Sequence, residues 1–316
     1  MKAAVVNTPG EMPKYQGFDE PTVQEGEVLV RVRAAGVHPV VKSIASGAHY
    51  SASGSGPMIP GIDGVGTLED GTRVYFGGAR KPWGTMAERA AVTRSMYIPL
   101  PDEIDDVTAA AIANPGMSGW VALKDRAGLL PGETVLILGA TGVAGQLAIQ
   151  VARQMGAKRI VGAGRNIDAL RDAGLDEIIA LNQPEDDLRK AFIAEAVAGI
   201  DVVIDYLWGR PTELLLEALA KGFKATATHR TRLVEVGASA GPNITLPAAI
   251  LRSIDLTILG SGFGAVSIDR IFAAIPELFA LAASGALKID VDPIPLSDVE
   301  AAWSRADKGR RIVLTV

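Results

Sequence analysis

Apolar residues recur along this chain in two rhythms, and the rhythm changes near residue 100. Before it, the apolar runs are short and broken by glycine. Residues 27–34 (Glu-Val-Leu-Val-Arg-Val-Arg-Ala) alternate with period two, which predicts a strand with one buried and one charged face. Residues 2–7, 61–68, 73–76 and 89–93 read as further strands. Many short strands with glycine-rich turns predict a small barrel or folded sheet. Residues 102–126 change character: 105–113 read as a helix with acids at its start. Asn114-Pro115-Gly116 is predicted to break it, and a second helix should begin at Met117 and lead to Pro131-Gly132.

After that the pattern is strand, helix, strand. Val135 to Leu138 is a continuous apolar run, the mark of a buried parallel strand. Val143, Leu147, Val151 and Met155 fall on one face of a helix that Gly156 ends, and 159–161 begins the next strand. Strands follow at 177–181, 201–206, 232–237 and 256–260. Between them come helices over 185–197, from Pro211 at a first turn, and over 247–252. Six strands with helical crossovers predict a doubly wound Rossmann sheet in an α/β protein. A helix over 267–284, a strand near 289–291, a capping box Ser297-Asp-Val-Glu300 opening a helix to Ala306, and a last strand 311–316 read as a return to the first region. The expected division is a dinucleotide-binding domain at 116–264 and a β-rich substrate domain at 1–115 and 265–316.

The turn after the first Rossmann strand carries the clearest chemistry. It reads Gly139-Ala140-Thr141-Gly142-Val143-Ala144-Gly145. A pyrophosphate at a helix N-terminus meets free backbone N–H groups and the positive end of the helix dipole. A side chain at Gly142 would hold the phosphate off, and one at Gly145 would hold the helix off its strand. Alanine stands at position 140, where the usual fingerprint has its first glycine. Two other glycine clusters fit less well: 61–66 precedes a turn and strand, and 260–264 lacks a strand beyond its helix. About 20 residues past the glycines, NAD-binding folds place an acid on the ribose. Here that place reads Gly164-Arg165-Asn166, with no acid before Asp168. An arginine pairs with the 2′-phosphate of NADP, so NADP is the expected cofactor.

Composition narrows the partners. The net charge of −5 argues against nucleic acid and anionic membranes. Without cysteine, disulfides and thiolate metal sites are excluded. No apolar run has the length of a membrane span and the first residues lack a signal-peptide core, so a cytoplasmic protein is expected.

Taken in order, Ala34-Ala-Gly36-Val-His38-Pro39, Ile59-Pro60-Gly61-Ile-Asp63-Gly64-Val-Gly66, Gly84-Thr-Met-Ala-Glu88, the stretch 135–156 and Gly260-Ser-Gly-Phe-Gly264 resemble the medium-chain dehydrogenase/reductase superfamily, in its zinc-independent quinone oxidoreductase branch. The resemblance spans essentially the whole chain. It implies a GroES-like β-rich domain beside the Rossmann domain. In the zinc-binding members, a Cys, a His and a second Cys hold the catalytic metal. The matching positions here are His38, Ile62 and the neighbourhood of Asn114. His38 and Asp63 are too few ligands, so no metal is expected.

The resemblance also implies site residues. Tyr50 matches a position that faces the substrate, where its hydroxyl would serve the acceptor oxygen. His38 replaces a common asparagine and would hold the substrate carbonyl or position Tyr50. Val41 stands where the branch usually has aspartate. Asn114 and Ser118 would pass beside the nicotinamide. Leu207 and Trp208, with Tyr206 before them, would border the adenosine side or the ribose. Gly237, Ala238, Ser239, Phe263 and Gly264 would lie near the nicotinamide. The apolar strand 256–260 would pair with its twin in a homodimer.

The expectation is therefore a zinc-free, NADPH-dependent oxidoreductase. It would pass hydride to quinones or α,β-unsaturated carbonyl compounds in a cleft between the domains. Two rivals stand beside it. One is an enoyl-thioester reductase, prompted by Asn114-Pro115, which should show a basic patch beyond Lys42, Arg80 and Lys81. The other is an NADPH-binding sensor or scaffold with little catalysis.

Overall fold

Alternation near the front of the chain and unbroken apolar runs in its middle build two different sheets. The computed structural model describes residues 1–52, 54, 56–222, 230–306 and 309–316. It divides into two units, Met1–Asn114 with Ile275–Val316, and Pro115–Ala274.

In the first unit, β1 (Lys2–Val5) and β2 (Lys14–Gly17) pair antiparallel as a separate ribbon. The main sheet uses β3 (Glu27–Gly36), β4 (Asp63–Thr67), β5 (Arg73–Gly77), β6 (Arg89–Thr93) and β7 (Tyr97–Pro99). It is joined from the chain's end by β14 (Val291–Pro295) and β15 (Arg311–Thr315). The order is β14-β15-β3-β4-β5-β7, with β6 also on β3. The period-two prediction for β3 holds: Val30, Val32 and Ala34 are buried while Arg31 and Arg33 are exposed. Val30 and Val32 pack with Val74, Phe76, Ala90 and Val92. A short helix, α1 (Pro39–Ala45), follows β3 and was not foreseen; Pro39 at its first turn brings a φ already suited to a helix.

The second unit carries six parallel strands: β8 (Thr134–Leu138), β9 (Arg159–Gly164), β10 (Glu177–Ala180), β11 (Val202–Asp205), β12 (Arg230–Glu235) and β13 (Asp255–Gly260). Their order, β10-β9-β8-β11-β12-β13, reverses direction between β8 and β11. That is the doubly wound Rossmann arrangement, and ligands of such sheets bind where the order reverses. Its helices are α3 (Val143–Gln154), α4 (Ile167–Asp172), α5 (Glu185–Ala198), α6 (Gly209–Gly222) and α7 (Ala248–Ser253), while α2 (Asp106–Val121) and α8 (Ile268–Ala283) each belong partly to both units. Leu136, Leu138, Val203 and Leu233 of the sheet pack with Phe192 of α5 and Leu215 of α6. Among the described residues, no helix is long and apolar enough to cross a membrane.

Several sequence expectations need correction. Asn114-Pro115-Gly116 does not break a helix: α2 runs on through Pro115. Proline there removes one backbone donor. The flanking Ala109 to Ala113 are buried, and Ser118 Oγ donates to the Pro115 carbonyl at 2.8 Å. Tertiary packing outweighs the lost bond. The capping box does not form either. Ser297 Oγ donates to Asp298, a 3₁₀ turn occupies Leu296–Asp298, and α9 (Val299–Ser304) starts without a side-chain cap. The strand expected near 289–291 is β14, two residues later, because β14 takes its register from β15. Likewise β12 begins at Arg230, where it meets Asp255 of β13.

Candidate functional site

Turn 139–145 in the second unit is shaped by close backbone approach. Gly139 has a φ of 88°, a left-handed conformation that favours glycine. Its N–H and that of Ala140 both donate to the Ala163 carbonyl, at 2.9 and 3.0 Å. Gly142 N donates to Gly139 O at 3.0 Å and ends the turn. A Cβ on Gly145 would lie 2.2 Å from Gly139 O, so α3 sits on the turn only because residue 145 has none. Alanine at 140 is accommodated from the next strand: a Cβ on Gly162 would lie 3.1 Å from the Ala140 methyl. Gly164 does the same for Thr141, whose Cγ2 would be 2.7 Å from an added Cβ. The first N–H groups of α3, at Val143, Ala144 and Gly145, have no carbonyl one turn earlier within the helix to accept them. That is the donor set an anion needs. The residues present fit a dinucleotide pyrophosphate.

At the end of β9, Arg165 is exposed and has no ion pair among the described residues. Asn166 caps α4, its Oδ1 accepting from Ala169 N at 3.2 Å. Asp168 is turned to Arg171, 3.2 Å away.

Tyr206, expected beside Leu207 and Trp208, joins several of the other expected residues. Its N–H donates to Leu138 O, its carbonyl accepts from Ser239 N and Ser239 Oγ at 3.3 and 2.8 Å, and its hydroxyl lies 3.5 Å from Ser118 Oγ. Burial pushes the Tyr206 phenol up to about 12. An added Cβ on Gly139 would be 3.2 Å from Tyr206 Cβ, and one on Gly237 3.4 Å from its carbonyl. Asp205, missed in the sequence, is fully buried. It accepts from Leu207 N at 2.8 Å, Trp208 N at 2.9 Å and Thr212 Oγ1 at 2.5 Å. These bonds hold Trp208 at a φ of 54°, the left-handed region a bulky residue rarely enters. Burial raises the Asp205 carboxyl; burial, then the charge of Asp205, raises that of its register partner Glu235. Ala238 and Ser239 are exposed beyond β12. Phe263 is partly exposed and bridges to Val266, Gly264 has a φ of 97°, and Arg126 Nε donates to Gly260 O at 2.7 Å where that loop begins. Asn114 is half-buried in α2.

In the first unit the structure treats His38 and Tyr50 differently. His38 is 1 % exposed, and its Nε2 lies 3.1 Å from Asp63 Oδ1. Tyr75 donates its hydroxyl to Asp63 Oδ2 at 2.8 Å, and Thr85 Oγ1 donates to the Asp63 carbonyl at 2.7 Å. Burial, and then the Asp63 charge and hydrogen bond, hold the Tyr75 phenol well above its usual range. Tyr50 is 71 % exposed and stacks on His49 with ring centroids 4.1 Å apart. Burial lowers the pKa of His49, whose Nδ1 lies 2.7 Å from Ser51 Oγ. The polar partner of His38 is thus Asp63, not Tyr50. Tyr75 and Thr85 went unnoticed in the sequence. The available signal was pairing: β4 and β5 run antiparallel with Val65 opposite Tyr75, which puts Asp63 on the diagonal. Among the described residues, no group of three His, Asp or Glu side chains is placed to hold a metal.

No family model matches the chain. It is 28% identical to the "Probable NADPH-dependent quinone reductase tdiC" of Emericella nidulans, over 99% of both chains. It is 29% identical to a "Mycocerosic acid synthase-like polyketide synthase" of Mycobacterium tuberculosis, over 73% of this chain but 11% of the synthase. Among solved structures, the quinone oxidoreductase of Thermus thermophilus, studied alone and with NADPH, superposes with a TM-score of 0.81 at 29% identity over 100% of both chains.

Proposed function

We propose that this chain, a member of the medium-chain dehydrogenase/reductase superfamily in its quinone oxidoreductase branch, reduces quinones or α,β-unsaturated carbonyl compounds without zinc. Its cofactor is NADPH. The observation that carries the reading is the pinched turn: with Gly145 against Gly139 O, the N–H groups at 143–145 are left for a pyrophosphate. Arg165 would take the 2′-phosphate, while Asp168, engaged by Arg171, repels it less. Ser118, Leu207, Trp208, Gly237, Ala238, Ser239, Phe263, Gly264 and Asn114 would line the remainder of the cofactor. Bound NADPH supplies a hydride; the chain's own part is to orient the acceptor and serve its oxygen. His38 and Tyr50 are the side chains proposed for that oxygen. Zinc is not needed for an acceptor already activated, and His38, at the first matching position, is bonded to Asp63.

A second reading, reduction of enoyl thioesters, draws on the polyketide synthase relatives and on Asn114-Pro115. The basic residues it would need are engaged. Lys42 Nζ donates to the Trp303 and Arg305 carbonyls, Arg80 bonds Glu27 and the Thr22 carbonyl, and Lys81 bonds the Ser51 carbonyl. The homodimer is proposed through β13, an edge strand with half-buried Leu256 and Ile258. A monomeric mass at micromolar concentration would reject it.

The test is consumption of NADPH by chelator-treated protein with a panel of quinones, small enones and enoyl thioesters. Turnover on quinones or enones is expected. Turnover confined to thioesters would favour the second reading. Bound NADPH with silence across the panel would favour a sensor or scaffold.

A further inference from the structure

A carboxylate has only lone pairs to offer, and both side-chain oxygens of Asp63 are already met. Tyr75 donates to Oδ2, so Oδ1 remains for His38 Nε2 at 3.1 Å. A bond there requires the proton on Nε2. The neutral ring then carries a bare lone pair at Nδ1, and the charged ring carries an N–H at both nitrogens. In either form Nδ1 is the unused end: it is buried and has no hydrogen-bond partner among the described residues. Leaving a buried polar atom unpaired costs about 1–3 kcal/mol. The fold otherwise supports this ring with care. A Cβ on Gly36 would lie 2.5 Å from it, and the buried Arg311 bonds the carbonyl of Val37, the preceding residue.

We infer that His38 exchanges the proton with the acceptor's oxygen through Nδ1, that Asp63 and Tyr75 are positioning residues for the ring, and that Tyr50 only helps to hold the acceptor. This rests on the reductase reading above. In the reductive direction the acceptor's carbon takes hydride and its oxygen takes the proton. The Nδ1–H bond of the charged ring breaks as the product's O–H bond forms. The ring is left neutral with Nε2–H on Asp63, and solvent returns a proton to Nδ1. In reverse, the bare Nδ1 accepts the proton of a hydroquinone or enol. Nδ1 is buried in this structure, so the exchange requires that the acceptor's oxygen gain access to that edge of the ring. Tyr50 is 71 % exposed, which suits a residue that steadies an acceptor rather than one that carries the proton.

The chain has three histidines, so ¹⁵N-histidine labelling gives a spectrum simple enough to assign with His38→Gln. Without cofactor, neutral His38 should show a protonated Nε2 and an unprotonated Nδ1. With NADP⁺ and hydroquinone present, the Nδ1 signal should shift. A ring protonated on Nδ1 with Nε2 bare overturns the inference. So does an unmoved Nδ1 while the hydroquinone's own proton signals broaden on binding. In turnover, His38→Gln should lower kcat by about 100-fold or more. Asp63→Asn should lower it by about 10-fold. Tyr50→Phe should raise the acceptor's KM and spare kcat. A wild-type protein that binds NADPH but turns over none of the quinones or enones rejects the reductase reading; full turnover retained by His38→Gln rejects this one.

Discussion

Each unit buries an aspartate, and the two are satisfied in opposite ways. Asp205 is held by its own neighbourhood: the N–H groups of Leu207 and Trp208 and the hydroxyl of Thr212, all within seven residues. Asp63 is held at a distance, by His38 25 residues before it and Tyr75 12 residues after it. The local set leaves no donor unused and fixes a backbone shape, including the left-handed Trp208. The distant set consists of titratable side chains and leaves one nitrogen open. The contrast separates a carboxylate that shapes a loop from one that can take part in proton movement.

The comparison can be broken most forcefully at Asp205. Asp205→Ala strands three donors, one buried and two partly buried, and the account expects a loss of about 4 kcal/mol in urea-unfolding experiments. A loss below about 1 kcal/mol would mean that the loop does not depend on it. Asp63→Ala strands two donors and should cost about 2–3 kcal/mol by the same measurement. The fate of the cofactor sharpens the contrast further. Arg165→Ala should weaken NADPH binding about tenfold, or about 1.4 kcal/mol, by calorimetry, and leave NADH unchanged. Tyr75→Phe removes one hydrogen bond to Asp63 and should cost about 1 kcal/mol.

The smallest effect is one of pH. Burial raises the Asp205 and Glu235 carboxyls in the folded chain. The folded state then binds more protons than the unfolded one just above the ordinary carboxylate range. The stability these two groups contribute should therefore be greatest below that range, fall as pH rises through it to the raised values, and level off above. Asp205→Asn should flatten this fall in a series of melts. A fall of unchanged size would place its origin elsewhere.

What the chain discloses before folding follows the same local-against-distant divide. The β8–α3 turn was legible because its glycines, strand and helix lie within a few residues of one another. The parallel strands announced themselves by unbroken apolar runs, and β3 by its alternation. The run through Pro115 was misread because burial of the neighbouring alanines, not local propensity, keeps α2 intact. Ser297 carried a cap signature that its bond to Asp298 diverts. Helix α1 was hidden by its brevity, at seven residues. Arg165 could be singled out by its place after β9. The Asp63–Tyr75 contact could not, because it exists only once β4 and β5 are in register. Tyr206 was seen as part of a strand end, but its link to Ser118 requires α2 to be folded across that end.

The central claim is that this chain is built for NADPH, through the turn at 139–145 and through Arg165. The most direct measurement is a calorimetric titration of the purified, chelator-treated chain with NADPH and then with NADH. The account predicts one NADPH per chain, bound at least about tenfold more tightly than NADH, a margin of about 1.4 kcal/mol. Equal affinities, or no binding of either, would contradict it.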